Sequence, residues 1–277
     1  MTAIALALGA SLSWGLGDFL GGLKSRTLHV LAVLAISQAV GFGAVVVWLG
    51  LSGDGFPGWT TMALAAAAGV GGCFGLAALY RGMAVGAMGI VAPVSAVSAA
   101  IPFTVGVVSG ERPGVLQVAG IALALAGVAL ASREPVERGG GRAAGVGLAL
   151  VAALGFGLYF VFLDRAAEES VPWAVASARG VSSVLAVAIA VVVGVSLRPG
   201  RAHLLPLLFV GLCDVGANVL FGLASTRGFL SVVSVLSSLY PVVTVALAAL
   251  LLHERIARAQ RLGVAGALVG AALITAG

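Results

Sequence analysis

Charged residues are scarce in this sequence of 277 residues: Asp, Glu, Lys and Arg make up 9% of it, against about 25% in an average soluble domain. Hydrophobic residues reach 61%, so too few polar side chains remain to cover a globule with a wettable surface. This composition excludes a soluble enzyme. The net charge of +5 does not indicate a nucleic-acid partner, because the basic residues stand mostly in short turns between apolar runs.

Cysteine and histidine are also rare. The 2 cysteines lie inside apolar runs, and the 3 histidines are isolated at the ends of such runs. These positions exclude a disulfide framework and a Cys/His metal site. No glycine loop ends in Lys-Ser or Lys-Thr, which excludes the common phosphate-binding loop. The sequence therefore predicts no enzyme activity, no metal and no cofactor, and any active transport would draw on an ion or solute gradient.

Long apolar runs dominate what is present, and each is rich in Ala, Leu, Val and Gly. A helix of about 20 apolar residues crosses a hydrocarbon core of about 30 Å. The runs do not alternate apolar and polar residues, which favours helices over a transmembrane barrel. We predict an all-α, polytopic membrane protein with about ten transmembrane helices. The runs lie near 2–22, 28–51, 58–79, 83–108, 113–132, 144–163, 171–196, 203–225, 228–252 and 257–276.

The sequence repeats itself across its midpoint. At a shift of 143 residues, Glu111-Arg112 falls on Glu254-Arg255, and Gly120 falls on Gly263. At a shift of 142, Ala7-Leu8 falls on the Ala-Leu pair at 149 and 150. Such collinear matches indicate a duplicated unit.

The predicted organisation is a first five-helix repeat at 1–132, a linker at 133–143 and a second five-helix repeat at 144–277. Because five is an odd number of crossings, the second copy must enter the bilayer in the opposite orientation. Inverted repeats place solute sites near the membrane midplane, where the two copies face each other, and they permit alternating access.

Several motifs resemble the ten-helix EamA-type transporters of the drug/metabolite transporter superfamily. The residues that carry the resemblance are Ser13-Trp14-Gly15, Ala78-Leu79-Tyr80-Arg81-Gly82, Tyr240-Pro241, Glu254-Arg255, Gln260-Arg261-Leu262-Gly263 and Gly270. The resemblance covers the whole chain and implies secondary transport of a small solute, often export, through a cavity lined by both halves. It also implies an arginine in the second helix of each half. Arg179 matches that position, whereas the first half has Ser37-Gln38.

Apart from Arg258 and Arg261 at the start of the last run, the charged residues within apolar runs are Asp18, Arg179 and Asp214. A charge there costs about 2.5–3.5 kcal/mol on insertion scales, which makes each a candidate site residue. Asn218 follows Asp214 by one turn and is placed to donate to its carboxylate. Trp14 precedes Asp18 by one turn, so that an acid and an aromatic face can contact one solute.

Each of these candidates has an alternative interpretation. Asp214 either carries protons, as a buried carboxylate without a fixed cation, or forms a packing clamp with Asn218. Asp18 either binds solute or lies wetted at the membrane boundary. Arg179 either binds a solute carboxylate or forms an ion pair with Asp214 or Asp18.

Prolines interrupt corresponding helices of the two halves: Pro93 and Pro102 in the fourth, and Pro241 in the ninth. Interrupted helices in matching positions are the best indication of a transporter site in a sequence. The polar residues near these prolines that we predict to contact solute are Ser95, Ser98, Ser238 and Tyr240. The alternative for each serine is a hydrogen bond back to its own helix.

Together these features predict a secondary active transporter that exports a small organic solute, such as an amino acid, metabolite or drug, with protons as a candidate coupling ion. The expected location is a bacterial cytoplasmic (inner) membrane. The partners are the solute and the lipid bilayer, and the sequence makes no prediction of an oligomeric state. The alternative is a membrane-embedded binding or receptor protein without transport. An intramembrane enzyme ranks last.

The basic residues predict the orientation of the chain in the membrane. Turns after odd-numbered helices carry eleven Lys or Arg and the other turns carry three, so the positive-inside rule puts both termini outside. The family resemblance implies the reverse. We expect a C-terminal reporter that is active only in the cytoplasm to be silent, whereas the same reporter inserted in the linker 133–143 is active. Activity at the C-terminus would contradict the charge-based orientation.

Overall fold

The computed structural model describes residues 1–131, 140–253 and 258–277, without the side chains of 131, 140–144 and 260. All regular structure in these ranges is helical. The helices are α1 (Thr2–Lys24), α2 (Val30–Ser52), α3 (Trp59–Val85), α4 (Met88–Ser95), α5 (Ala100–Val108), α6 (Val115–Ala131), α7 (Gly140–Ala167), α8 (Val171–Val192), α9 (Arg201–Ser225), α10 (Leu230–Ser237), α11 (Tyr240–Leu251) and α12 (Arg258–Ala276).

Eight segments of the described chain are long and apolar enough to cross a membrane, counting α4 with α5 and α10 with α11 as one segment each. Two shorter apolar helices, Val115–Leu130 and Arg261–Ala276, correspond to the fifth and tenth apolar runs of the sequence. This confirms the predicted class of an all-helical, polytopic membrane protein.

The helices formed by the fourth and ninth apolar runs are interrupted, as the prolines predict. Between α4 and α5 the chain forms a 3₁₀ turn at Ala96–Ala99, and Pro93 lies inside α4. Between α10 and α11 the helix breaks after Ser237, and Pro241 lies in the first turn of α11. Proline lacks the N–H that the helix would use and clashes with the preceding turn, so each break follows from the local sequence.

Helices of the two sequence halves interleave. Helix α1 packs against α9, α3 against α7, α2 against α8, and α6 against α12. Glycines permit the closest of these approaches: a Cβ at Gly127 would lie 2.6 Å from the carbonyl oxygen of Gly263, and one at Gly120 would lie 2.6 Å from that of Gly270. Small residues at such contacts let helix backbones pack tightly in lipid. The core of the bundle is therefore built by both halves together.

Part of the predicted linker 133–143 lies outside the described residues, as do Glu254 and Arg255. Where the description resumes, α7 already begins at Gly140, ahead of the predicted start of the second repeat at 144. A glycine costs a helix only about 1 kcal/mol relative to alanine, so Gly140 and Gly141 do not prevent the helix from extending beyond the apolar run.

Candidate functional site

A cavity with an empty volume of about 490 Å³ lies among the middle parts of α1, α2, α3, α7, α8 and α9 and the start of α11. Both halves of the chain contribute to its wall. Six of the nine predicted site residues line it: Trp14, Asp18, Arg179, Asp214, Asn218 and Tyr240.

The strongest polar interaction at the cavity is a bidentate ion pair between Arg179 of α8 and Asp214 of α9. One Nη of the guanidinium lies 2.5 Å from Oδ2 and the other lies 3.0 Å from Oδ1. Both side chains are 8% exposed. Parallel N–H···O bonds of this kind fix orientation as well as charge, because the planar guanidinium matches the carboxylate.

Two residues of the first half complete the surroundings of this pair. Gln38 Nε2 donates to Asp214 Oδ2 at 2.9 Å, and Trp14 Nε1 donates to Asp214 Oδ1 at 3.2 Å. Arg179 and Ser182 in turn donate to Gln38 Oε1, at 2.5 and 2.7 Å. We call Trp14, Gln38, Arg179, Ser182 and Asp214 the central network. It joins α1, α2, α8 and α9, and it gives each Asp214 oxygen two donors.

This arrangement corrects the prediction for Asp214 and Asn218. Within the described ranges the Asn218 amide has no hydrogen-bond partner, so it does not donate to Asp214 and forms no clamp with it. The reason is that four donors from Arg179, Gln38 and Trp14 already occupy the carboxylate. Asp214 also has a fixed cation, which removes the premise on which we expected it to carry protons. Of the two interpretations of Arg179, the ion pair is the one observed.

Asp18 differs from Asp214 in that no ion pair with it occurs among the described residues. Its side chain lines the cavity while the residue as a whole is 4% exposed, so it is enclosed by protein rather than wetted at a membrane boundary. Trp14, one turn earlier on α1, lines the same cavity, as the spacing predicts. Of the two carboxylates that line the cavity, Asp18 is therefore the one without an ion-pair partner among the described residues.

The polar residues of the interrupted helices divide into two groups. Ser95 Oγ lies 2.5 Å from the Tyr240 hydroxyl, which connects α4 to α11 across the two breaks. Since Ser95 already donates to the Ala92 carbonyl at 2.8 Å, Tyr240 is the donor in this contact. Ser98 and Ser238 are buried and have no hydrogen-bond partner among the described residues, and they are not among those that line the cavity.

Sequence reasoning missed an aromatic wall. Phe156, Tyr159 and Phe160 of α7 line the cavity. The ring of Phe160 lies 5.5 Å from that of Trp14 and stacks at 4.7 Å on that of Phe221. The repeat contained a signal for this wall, because a shift of 142 residues places Trp14 on Phe156.

In the sequence, Gln38 stands where the family resemblance implies an arginine. The structure places it in the central network instead. Its amide offers both a donor and an acceptor, so it can bond to the guanidinium and the carboxylate at once. An arginine there would add a second cation beside Arg179.

Comparison with known proteins gives a family and a fold. The sequence profile of the EamA-like transporter family matches residues 1–133 and, a second time, residues 143–276. A protein of known crystal structure is similar over 99% of this chain and 96% of its own, with a TM-score of 0.75 and 21% sequence identity. At that identity the likeness shows the fold alone. Among curated proteins, none matches the sequence.

The ion pair generates a stability prediction. Asp214→Asn or Arg179→Gln leaves one buried charge unpaired, and each is expected to cost about 3–5 kcal/mol of unfolding free energy. The double variant removes both charges and should cost less than the sum of the two single variants. Thermal unfolding of the purified proteins in detergent measures this. Additive losses would contradict a direct coupling between the two residues.

Proposed function

Because the chain belongs to the EamA-like transporter family, we propose that it is a secondary active carrier that exports a small organic solute through the central cavity by alternating access. The observation that carries this proposal is the position of the cavity: it is lined by both halves, and Tyr240 at the start of α11 contacts it beside the two interrupted crossings. Half-helices that meet near the midplane are the usual setting of a transport site. The proposed location is a bacterial cytoplasmic membrane.

The packing of the helices supports an inverted-repeat arrangement. If each helix is replaced by its counterpart in the other half, the α1–α9 contact becomes the α7–α3 contact. The α2–α8 and α6–α12 contacts are each unchanged. A two-fold axis through the bundle produces this pattern. With five crossings proposed in each half, 1–132 and 144–277, the two copies would lie in opposite orientations, and their rocking would expose the cavity to each side in turn.

Besides the central network, polar contacts between the halves also lie on the face reached by the turns after even-numbered crossings. Glu111 accepts the backbone N–H groups of Leu230 at 2.7 Å and Ser231 at 2.9 Å, and so caps α10 from the other half. Ser170 Oγ donates to Asp54 Oδ2 at 2.6 Å. Water can replace the partners of such contacts near a membrane surface, so they are suited to break when this face opens.

Protons are the proposed coupling ion, and Asp18 rather than Asp214 is the residue proposed to bind and release them. An ionised carboxylate in a cavity of low polarity needs a cation or a proton. Asp214 has Arg179, whereas Asp18 has no ion-pair partner in the described part of the chain.

Movement of a labelled solute across vesicle membranes tests the proposed transport function. In proteoliposomes containing the full chain, labelled phenethylamine or L-phenylalanine should move faster than in empty vesicles, and an imposed pH gradient should accelerate the movement. We expect Asp18→Asn to abolish the effect of the gradient, because an amide cannot bind or release a proton at neutral pH. Asp164→Asn, at a buried carboxylate of α7 outside the cavity lining, is the matched control. Binding of either probe without flux would favour a receptor.

Locking one face tests alternating access. The variant that combines Asp54→Cys with Ser170→Cys should form a disulfide on oxidation and lose flux, because the two halves can no longer separate there. Reduction should restore it. The single variants control for the native Cys73 and Cys213. Unchanged flux in the oxidised double variant would contradict opening at this face.

A further inference from the structure

The charges that face the cavity do not balance. Asp18, Arg179 and Asp214 are the lining residues that carry a charge at neutral pH in their ordinary states. Arg179 and Asp214 neutralise each other through two hydrogen bonds. The remaining carboxylate, Asp18, leaves the site with one negative charge whenever it is ionised. In a buried site that charge is stable only beside a cation.

Among the described residues, Arg179 is the one cation that lines the cavity, and it has little capacity for a second anion. Both Nη atoms of Arg179 donate to Asp214, and one of them also donates to Gln38. Its Nε is buried and has no partner among the described residues. A solute carboxylate that leaves Asp214 in place would have only that Nε–H and the second hydrogen of one Nη, on a guanidinium whose charge Asp214 already neutralises.

The remainder of the wall suits an apolar or aromatic body. Trp14, Phe156, Tyr159 and Phe160 face the same space as Asp18, and aromatic faces attract cations as well as rings. Asn218 is 0% exposed, lines the cavity, and has neither its amide nitrogen nor its amide oxygen bonded within the described chain. A solute or a water molecule in the cavity can satisfy a buried amide that the protein leaves unbonded.

We propose that the solute of this carrier is a small organic cation, whose ammonium group pairs with Asp18 while its aromatic or apolar body packs against the wall formed by Trp14, Phe156 and Phe160. Asn218 supplies an additional hydrogen bond to a polar substituent. Anions and zwitterions are disfavoured because the guanidinium of Arg179 is committed to Asp214. This inference rests on the proposed transport function, since it names the class of solute for the same cavity.

Four probes that share a phenyl ring separate the charge classes. They are phenethylamine as the cation, L-phenylalanine as the zwitterion, 3-phenylpropionate as the anion and 2-phenylethanol as the neutral compound. Calorimetric titration of the purified full chain in detergent at neutral pH should show phenethylamine binding at least about tenfold more tightly than the other three, the scale of one charge-assisted contact.

Variants of Asp18 identify the residue responsible. In Asp18→Asn the affinity for phenethylamine should fall to that for 2-phenylethanol, whereas Asp18→Glu should keep the preference for the cation. Asp164→Asn is the matched control, because Asp164 is 8% exposed in α7 but does not line the cavity, and it should leave the preference unchanged. Melting temperatures of the variants confirm that each is folded.

Three results would overturn the proposal: tighter binding of the zwitterion or the anion, a cation preference that persists in Asp18→Asn, or no binding of phenethylamine. Flux in proteoliposomes separates this inference from the transport function. If L-phenylalanine binds best and is transported, the carrier stands and the cation proposal fails. If phenethylamine binds through Asp18 and crosses no membrane, the cation site stands and the carrier fails.

Discussion

The structure depends on one buried interaction, the ion pair of Arg179 and Asp214 in the central network. Two charges removed from water are tolerated only where the geometry is close and the remaining donors and acceptors are satisfied. Here Gln38 and Trp14 supply the remaining donors to the carboxylate. Because those two residues come from the first half and the ion pair comes from the second, satisfying one buried charge also fixes the relative position of four helices.

That constraint determines what the cavity can offer a solute. Arg179 has both of its Nη groups engaged by the protein. In the proposed site, recognition therefore falls to the Asp18 carboxylate, which has no ion-pair partner among the described residues, and to the unbonded Asn218 amide on the polar side. The rings of Trp14 and Phe160 form the apolar side. Arg179 pairs with Asp214 and not with Asp18, so one buried carboxylate has a fixed counter-charge and the other does not.

Local sequence patterns predicted most of the architecture and part of the site. Apolar runs identified the helices because a membrane helix needs a continuous stretch of such residues. Pro93 and Pro241 located the breaks because proline acts on its own helix. The pairing of Arg179 with Asp214, and not with Asp18, depends on how α8 packs against α9, which no local pattern encodes. Phe160 escaped for the same reason, because phenylalanine is common in an apolar helix. Gln38 is a polar residue in its apolar run, but its partners come from the other half and no local pattern names them.

The proposed alternating access must also be reconciled with this network, which joins α1, α2, α8 and α9 and is costly to break. If it stays intact, the moving parts are those attached less firmly: the interrupted crossings α4–α5 and α10–α11 and the polar contacts on one face. Ser95 and Tyr240 join the two interruptions beside the cavity through one neutral hydrogen bond, which contributes about 1 kcal/mol, whereas leaving one charge of a buried ion pair unpaired costs about 3–5 kcal/mol. In the proposed transport cycle, this difference favours a hinge at the broken helices and a fixed axis at the ion pair.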